Sequence, residues 1–280
     1  MYYLFRLFSW QLSWWSERSL STFASLLARL TFWLFPSRLR VVDQNLQIAF
    51  GGQISAAVRK EIAYESVYHF ALTCLEFLSV RDGSLGRHVS FEKGLEHLDE
   101  ALSKGQGVYI LCIHMGSWEA MAAGLDRMGY PNLVLTKPVR PRGLGRLVHE
   151  LRRLNGMGEV IRRRKGDGYR GIVAALNANK CVGFVMDQAR PNSPRLSFFG
   201  RPAKTNTSFA AIYSKRPAPV IPMYARRVGV HRHQLTVLPE VKFAQLDTQA
   251  MSLHVNQVVE QMIEACPEQY FWLHNRWKVR

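Results

Sequence analysis

A histidine and a glutamate five positions apart, His114 and Glu119, form the segment whose residue types best fit a chemical reaction. The segment follows the apolar, strand-forming run 108–113 and precedes 120–125, which is typical of a helix body. The imidazole is therefore expected at the carboxyl end of a strand, where ligands bind in open α/β sheets. A neutral imidazole oriented by a carboxylate can act as a general base towards a hydroxyl group.

The spacing of this pair requires a junction between two elements. On one continuous helix, residues five positions apart diverge by about 140° around the axis. A strand-turn-helix junction with Ser117 as N-cap places Trp118 and Glu119 in the first helical turn, where a carboxylate complements the helix dipole. The same residues also fit a purely structural role, as a strand-end histidine, an N-cap and a dipole-matching glutamate.

The composition indicates an anionic partner. The chain has 280 residues, 48% of them hydrophobic, which is enough for one domain or a domain with an appendage. Its formal net charge of +16 fits nucleic acid, an anionic membrane, a phosphorylated lipid or an acidic carrier protein. Four scattered cysteines without a C-x-x-C pair argue against a zinc site or a disulfide framework and fit a reducing compartment.

Residues 1–36 are unusually aromatic and are expected to form a membrane-associated helical segment. Arg29 interrupts the apolar stretch, so no uncharged run approaches the ~20 residues of a comfortable membrane span. One or two amphipathic helices lying in the membrane interface are favoured. A single span with Arg29 snorkelling is the alternative.

Residues 37–280 are expected to form one α/β domain with a largely parallel sheet flanked by helices, because predicted strands and helices alternate along the chain. The segment 37–52 is interpreted as a basic connector. Strands are predicted at 108–114, 133–136, 181–186, 217–225 and 234–238, and helices at 55–80, 116–129, 144–154, 169–178 and 251–265.

Other polar segments could also contribute to a site. Asp187 and Gln188 follow the strand 181–186 and should project near the same sheet edge as His114, although a strand-end aspartate more often caps a turn. Arg201 and Lys204 precede a predicted helix start, which is a favourable place for a phosphate. A basic stretch begins at Lys137, but no helix-turn-helix, zinc-finger or RNP signature accompanies it, so no nucleic-acid partner is expected.

Taken together, these segments resemble the lipid A biosynthesis acyltransferases, the lauroyl/myristoyl branch of the lysophospholipid acyltransferase superfamily. The matching residues run in order through nearly the whole chain: Asn45-Leu46 with Ala49-Phe50, His114-x-Gly116-x-Trp118-Glu119, Asp187-Gln188, Phe198-Phe199-Gly200-Arg201-Pro202 with Thr205, and Glu268-Gln269, Trp272, His274, Arg276 and Lys278. One departure is Thr136-Lys137-Pro138, where such proteins often carry Tyr-Arg-Pro. Lysine cannot reproduce a bidentate arginine–phosphate contact.

The resemblance implies transfer of a fatty acyl group to a lipid hydroxyl at the cytoplasmic face of a bacterial inner membrane. The donor would be acyl carrier protein or acyl-CoA, and the acceptor a phosphorylated lipid such as a lipid A precursor or a related glycolipid. His114 would be the general base, and Glu119 would fix its tautomer and stabilise the imidazolium. Backbone N–H groups at the Gly116–Trp118 helix start would stabilise the oxyanion. Neither a metal nor a redox cofactor is implied, and the substrate-binding residues would be Gly116, Trp118, Lys137, Asp187, Gln188, Arg201 and Lys204.

An alternative from another class of protein accounts for the charge and the aromatic amino terminus. It is a non-catalytic, membrane-peripheral protein that binds anionic lipid or nucleic acid through its basic face. That interpretation leaves the placement of His114 and Glu119 to chance.

Overall fold

The computed structural model describes residues 1–136, 138–161, 167–190, 192–243 and 245–278. Within these ranges there are ten α-helices: α1 (Tyr2–Leu12), α2 (Glu17–Leu34), α3 (Pro36–Phe50), α4 (Ala56–Ser79), α5 (Leu95–Ser103), α6 (Trp118–Arg127), α7 (Arg142–Leu154), α8 (Asp167–Asn177), α9 (Ser208–Tyr213) and α10 (Thr248–Ala265). The same ranges hold nine strands: β1 (Val89–Lys93), β2 (Val108–Cys112), β3 (Asn132–Thr136), β4 (Gly158–Ile161), β5 (Cys181–Val185), β6 (Arg195–Phe198), β7 (Arg201–Lys204), β8 (Val220–Gly229) and β9 (Arg232–Val237).

Seven of the described strands form a central sheet in the order β1-β9-β8-β2-β5-β3-β4. Neighbouring strands are parallel except β8 and β9, which form an antiparallel hairpin. The prediction of a largely parallel α/β sheet flanked by helices is therefore confirmed. Strands β6 and β7 form a separate antiparallel hairpin in a segment where no strand was predicted.

The central strand β2 explains why the predicted 108–113 run is continuously apolar. All five of its residues are buried. Tyr109 and Leu111 join one hydrophobic cluster, while Val108, Ile110 and Cys112 join a second one. Because successive side chains of a strand point to opposite faces, these clusters lie on the two sides of the sheet.

The amino-terminal helices pack on the α/β body and leave much of their apolar surface uncovered. Helix α1 contacts α4 and α7, and α2 contacts α4. Tyr3, Trp14 and Trp33 are each more than three-quarters exposed. Across the described ranges, the structure contains no helix that is both long and apolar enough to cross a membrane.

The prediction of a connector at 37–52 is wrong, because the segment is mostly the helix α3. Pro36 lies at its start, where proline is favoured. Val42 and Leu46, one turn apart, are fully buried, and the Asn45 amide donates to the carbonyls of Trp272 and His274, at 2.8 Å each. The helix is thus held by tertiary contacts with the distant carboxyl-terminal tail, which the local composition does not reveal.

Candidate active site

Two neighbouring parallel strands bring His114 and Asp187 together. Cys112 of β2 is paired in register with Val185 of β5, and each functional residue follows two positions after one of these. The register therefore delivers both side chains to the same sheet edge, as the sequence predicted. His114 Nδ1 lies 2.9 Å from Asp187 Oδ1 and 3.1 Å from Oδ2.

The contact between His114 and Asp187 leaves the imidazole in the state that a general base needs. Burial alone would lower the pKa of His114, but the charge and hydrogen bond of Asp187 outweigh it, so the pKa is raised above its ordinary value. Burial would raise the pKa of Asp187, yet the His114 contact and further favourable interactions leave it lowered. Asp187 is fully buried and ionised, so it accepts the Nδ1–H and leaves Nε2 with its lone pair.

Glu119 does not orient the imidazole as the sequence analysis expected. The helix α6 begins as predicted, with the Ser117 hydroxyl accepting from the Ala120 N–H at 3.2 Å. The Glu119 carboxylate, however, accepts hydrogen bonds from Arg152 on α7, at 3.0 and 3.2 Å from Nε and 2.5 Å from Nη2. The partner of Glu119 is therefore Arg152 and not His114. The partner of His114 is Asp187 and not Glu119.

Arg152 also ties this glutamate to a second buried carboxylate. Its Nη1 donates to Glu159 at 2.7 Å, and the Thr136 hydroxyl donates to the same Glu159 oxygen at 2.5 Å. The pKa of Glu159 is lowered despite its burial, because His149, Thr136 and Arg152 favour the ionised form. One guanidinium therefore fixes two carboxylates beside the site. This role was not predicted, because Arg152 lies in the basic stretch that begins at Lys137 and nothing in the local sequence indicates its partners.

The surroundings of Gly116 fix both its backbone conformation and its hydrogen bonds. Its φ is +55°, and a Cβ there would come within 2.1 Å of the Ala225 carbonyl oxygen, so a side chain does not fit. Its N–H donates to the Gln269 carbonyl at 3.2 Å, and its carbonyl accepts from the Thr73 hydroxyl at 2.7 Å. The Gly116 N–H is therefore not free to act as the oxyanion donor that was expected.

Aromatic side chains enclose the imidazole. The His114 ring lies 4.9 Å from the Trp118 ring and 6.2 Å from the Phe271 ring, and Phe70 contacts both of these aromatics. The Phe271 N–H donates to the His114 carbonyl at 2.9 Å. The carboxyl-terminal tail thus forms part of the site, although the sequence analysis gave its aromatics no role there.

A cavity of about 350 Å³ opens at His114 and runs between the sheet and α6. That volume lies at the small end of ligand pockets, which span roughly 300–1,000 Å³. The polar residues that line this cavity include Glu119, Arg152, Gln188 and Asn206. The apolar residues that line it include Ile110, Cys112, Met121, Ala122, Leu125, Val134, Leu135 and Val185. The lining residues extend from His114 back along β2 to Ile110.

The other expected substrate-binding residues divide into three groups. Trp118 and Gln188 line the cavity at His114. Arg201 and Lys204 lie on the β7 strand and do not line it; Arg201 is exposed, and the Lys204 carbonyl accepts from the Arg276 guanidinium. Lys137 lies outside the described residues.

Comparison with known proteins gives the class of this chain. The sequence model described as "Bacterial lipid A biosynthesis acyltransferase" matches residues 1–279. The lipid A biosynthesis palmitoleoyltransferase of Escherichia coli (strain K12) is 25% identical over 250 residues, which is 87% of this chain and 79% of that protein. The lipid A biosynthesis lauroyltransferase of the same organism is 24% identical over 264 residues, or 91% and 83%. A lipid A biosynthesis acyltransferase of Haemophilus influenzae (strain ATCC 51907 / DSM 11121 / KW20 / Rd) is 24% identical over 262 residues, or 89% and 82%.

The match over nearly the whole chain makes this protein an acyltransferase. It belongs to the bacterial lipid A biosynthesis acyltransferase family, which confirms the resemblance inferred from the ordered motifs.

Proposed function

We propose that this protein transfers a fatty acyl chain from an acyl thioester to a hydroxyl of a lipid A precursor or related glycolipid, with His114 as general base. The donor is acyl carrier protein or acyl-CoA. The observation that carries the proposal is the arrangement of the imidazole. Its Nδ1 is held by the buried Asp187, while Nε2 has no hydrogen-bond partner among the described residues and the ring lines the apolar cavity.

The reaction follows from that arrangement. The acceptor hydroxyl gives its proton to His114 Nε2 as its oxygen attacks the thioester carbonyl carbon. The resulting imidazolium is stabilised by the Asp187 carboxylate 2.9 Å away. When the tetrahedral intermediate collapses, the C–S bond breaks and the imidazolium returns a proton to the departing sulfur. The products are an ester and a free thiol.

The start of α6 is suited to stabilise the negative oxygen of the intermediate. The Gly116 N–H is engaged by Gln269, but the N–H groups of Ser117 and Trp118 have no partner in the described part of the chain. Free N–H groups at a helix start carry partial positive charge and point at an anion without reorganisation. These two groups replace Gly116 as the oxyanion donors.

The apolar cavity is suited to the donor's fatty chain. Its walls beyond the mouth are aliphatic side chains of β2, α6 and β3, and burial of each methylene contributes about 0.8 kcal/mol. A chain lying there would place its thioester carbonyl at the cavity mouth beside His114. The basic surface, with its formal charge of +16, suits an acidic carrier or a phosphorylated acceptor.

The proposed location is the cytoplasmic face of the bacterial inner membrane, and the amino-terminal segment supports the contact with a membrane. Most of the large exposed hydrophobic side chains belong to residues 1–35, and aromatic side chains of this kind partition into a membrane interface. Removal of residues 1–36 should release the protein from membranes or cause it to aggregate. Unchanged membrane association after this deletion would show that the basic surface alone holds the protein there.

A direct transfer assay tests the function. Purified protein is incubated with a lipid A precursor and, in parallel reactions, with acyl carrier protein or CoA carrying the same acyl group. Mass spectrometry should detect a product heavier by one ester-linked acyl chain with at least one donor. Hydrolysis of both donors without any acylated lipid would contradict the proposal.

A further inference from the structure

Another cavity lies next to the aromatic side chains that enclose the imidazole. This groove, of about 610 Å³, runs between the α2–α3 junction and the carboxyl-terminal tail. We call it the tail groove; the residues used below are Phe35, Arg38, Phe271, Leu273, His274 and Lys278. No acidic residue of the described chain lines it.

The tail groove shares a wall with the site at His114. Phe271 lines the groove, and its ring lies 6.2 Å from the His114 ring. His274 also lines it, and its Nε2 accepts the N–H of Ala189, a residue that lines the apolar cavity, at 3.1 Å. Phe271 and His274 therefore connect the lining of the tail groove with residues around the apolar cavity.

The charges in the groove are positive and uncompensated. Arg38 and Lys278 are both exposed, and neither forms an ion pair or a side-chain hydrogen bond with any described residue. The pKa of His274 is lowered, first by burial and then in part by Arg276, so this ring is neutral. Two free cations and a neutral imidazole favour an anionic ligand.

The groove also has an apolar side. Phe35 and Leu273 line it, and the neighbouring end of α2 exposes Trp33 and Leu34. A molecule with an anionic head and hydrocarbon tails therefore matches both sides of this groove: its head reaches Arg38 and Lys278, and its tails leave along the apolar end of α2.

We propose that the tail groove binds the phosphorylated head of the lipid acceptor, with Arg38 and Lys278 as the phosphate-binding cations. The inference rests on the proposed function, because it assigns the acceptor head to the tail groove and the donor chain to the apolar cavity. It places the acceptor phosphate away from the β7 strand, where the sequence analysis expected Arg201 and Lys204 to hold it.

The test uses the full-length protein, a phosphorylated lipid A precursor and the same lipid after enzymatic dephosphorylation. Arg38→Glu and Lys278→Glu should each raise the apparent KM of the phosphorylated acceptor roughly tenfold, the loss expected for one charge-assisted contact. The KM of the dephosphorylated acceptor and the slow hydrolysis of the donor without acceptor should not change. Lys60→Glu, which reverses an exposed charge on α4, is the matched control.

Three results would overturn the assignment. The KM could be unchanged in Arg38→Glu and Lys278→Glu, or it could rise equally for both acceptors. The KM of the phosphorylated acceptor could also rise in Arg201→Glu and not in the groove variants. A separate arm measures flotation with anionic vesicles that lack acceptor. If the groove variants lose vesicle binding and keep their KM in detergent, the groove binds bulk headgroups and the assignment to the acceptor is wrong. Absence of acylation by the wild-type protein would instead be a failure of the proposed function, so the two failures are distinct.

Discussion

Asp187 Oδ1 lies 2.9 Å from His114 Nδ1, and the two residues stand at matched positions, each two residues beyond a register pair of the parallel strands β2 and β5. Neither residue belongs to a helix, and the buried carboxylate of Asp187 fixes the imidazole, not the glutamate five positions away in sequence. The rigid sheet core therefore sets the position of the base.

Replacement of Asp187 by asparagine should lower kcat by roughly 10²–10⁴ and shift the acid limb of the pH–rate profile to lower pH. Transfer needs unprotonated Nε2, so the wild-type rate falls as pH drops through the raised pKa of His114. Loss of the Asp187 charge removes the interaction that raises this pKa. Steady-state rates against pH measure both effects, with Asp99→Asn, an exposed carboxylate on α5, as control. An unshifted acid limb would show that Asp187 does not set the pKa of the base.

Glu119→Gln and Arg152→Lys should slow transfer without moving the acid limb appreciably. Glu119 contributes the smallest of the interactions that raise the pKa of His114, and its hydrogen bonds go to Arg152. Lysine cannot reproduce the forked contact of Arg152 with two carboxylates, so the site geometry should loosen. The same pH–rate measurement separates this outcome from that of Asp187→Asn. A shift in Glu119→Gln as large as in Asp187→Asn would restore Glu119 as the orienting residue.

Much of the site was predictable, because the strand-turn-helix signal around His114 and the strand before Asp187 are both local. Two strand ends that meet at one sheet edge follow from parallel pairing, so the proximity of Asp187 and Gln188 to His114 was expected. It was not predictable that Asp187 and not Glu119 would contact His114, because this depends on where Arg152 of α7 lies relative to Glu119. The helix α3 was also missed, since its stability comes from contacts with a tail more than 220 residues away.

Enlarging Ala122 on α6 should shorten the acyl chain that the enzyme prefers. Ala122 is buried and lines the apolar cavity, so Ala122→Leu fills space that a long chain would occupy. Each excluded methylene costs about 0.8 kcal/mol, which is roughly fourfold in kcat/KM. Competition among donors of graded chain length, with Val58→Leu on the exposed side of α4 as control, measures the preference. An unchanged preference would place the chain elsewhere.

Glu76→Gln should destabilise the protein by about 3–5 kcal/mol at neutral pH, because it leaves Arg227 buried without its counterion. Burial would raise the pKa of Glu76, but Arg227 and His233 lower it to about 2. The folded-state pKa is thus depressed, so this stabilisation is present above pH 4.5 and is lost as pH falls towards 2. Urea unfolding at pH 7 and at low pH measures it. Glu17→Gln, at an exposed pair with Arg232, should cost about 0–1 kcal/mol. Equal effects of the two variants would contradict the buried pairing.

The rate of acyl transfer by His114→Ala tests the role of His114 as general base most directly. Folded His114→Ala protein, verified by circular dichroism, is compared with wild type and with His88→Ala, which removes an exposed imidazole. Transfer to the lipid acceptor should fall by roughly 10²–10⁴ in His114→Ala, the usual worth of general-base catalysis, and remain at the wild-type rate in His88→Ala. Near-normal turnover by His114→Ala would contradict the account.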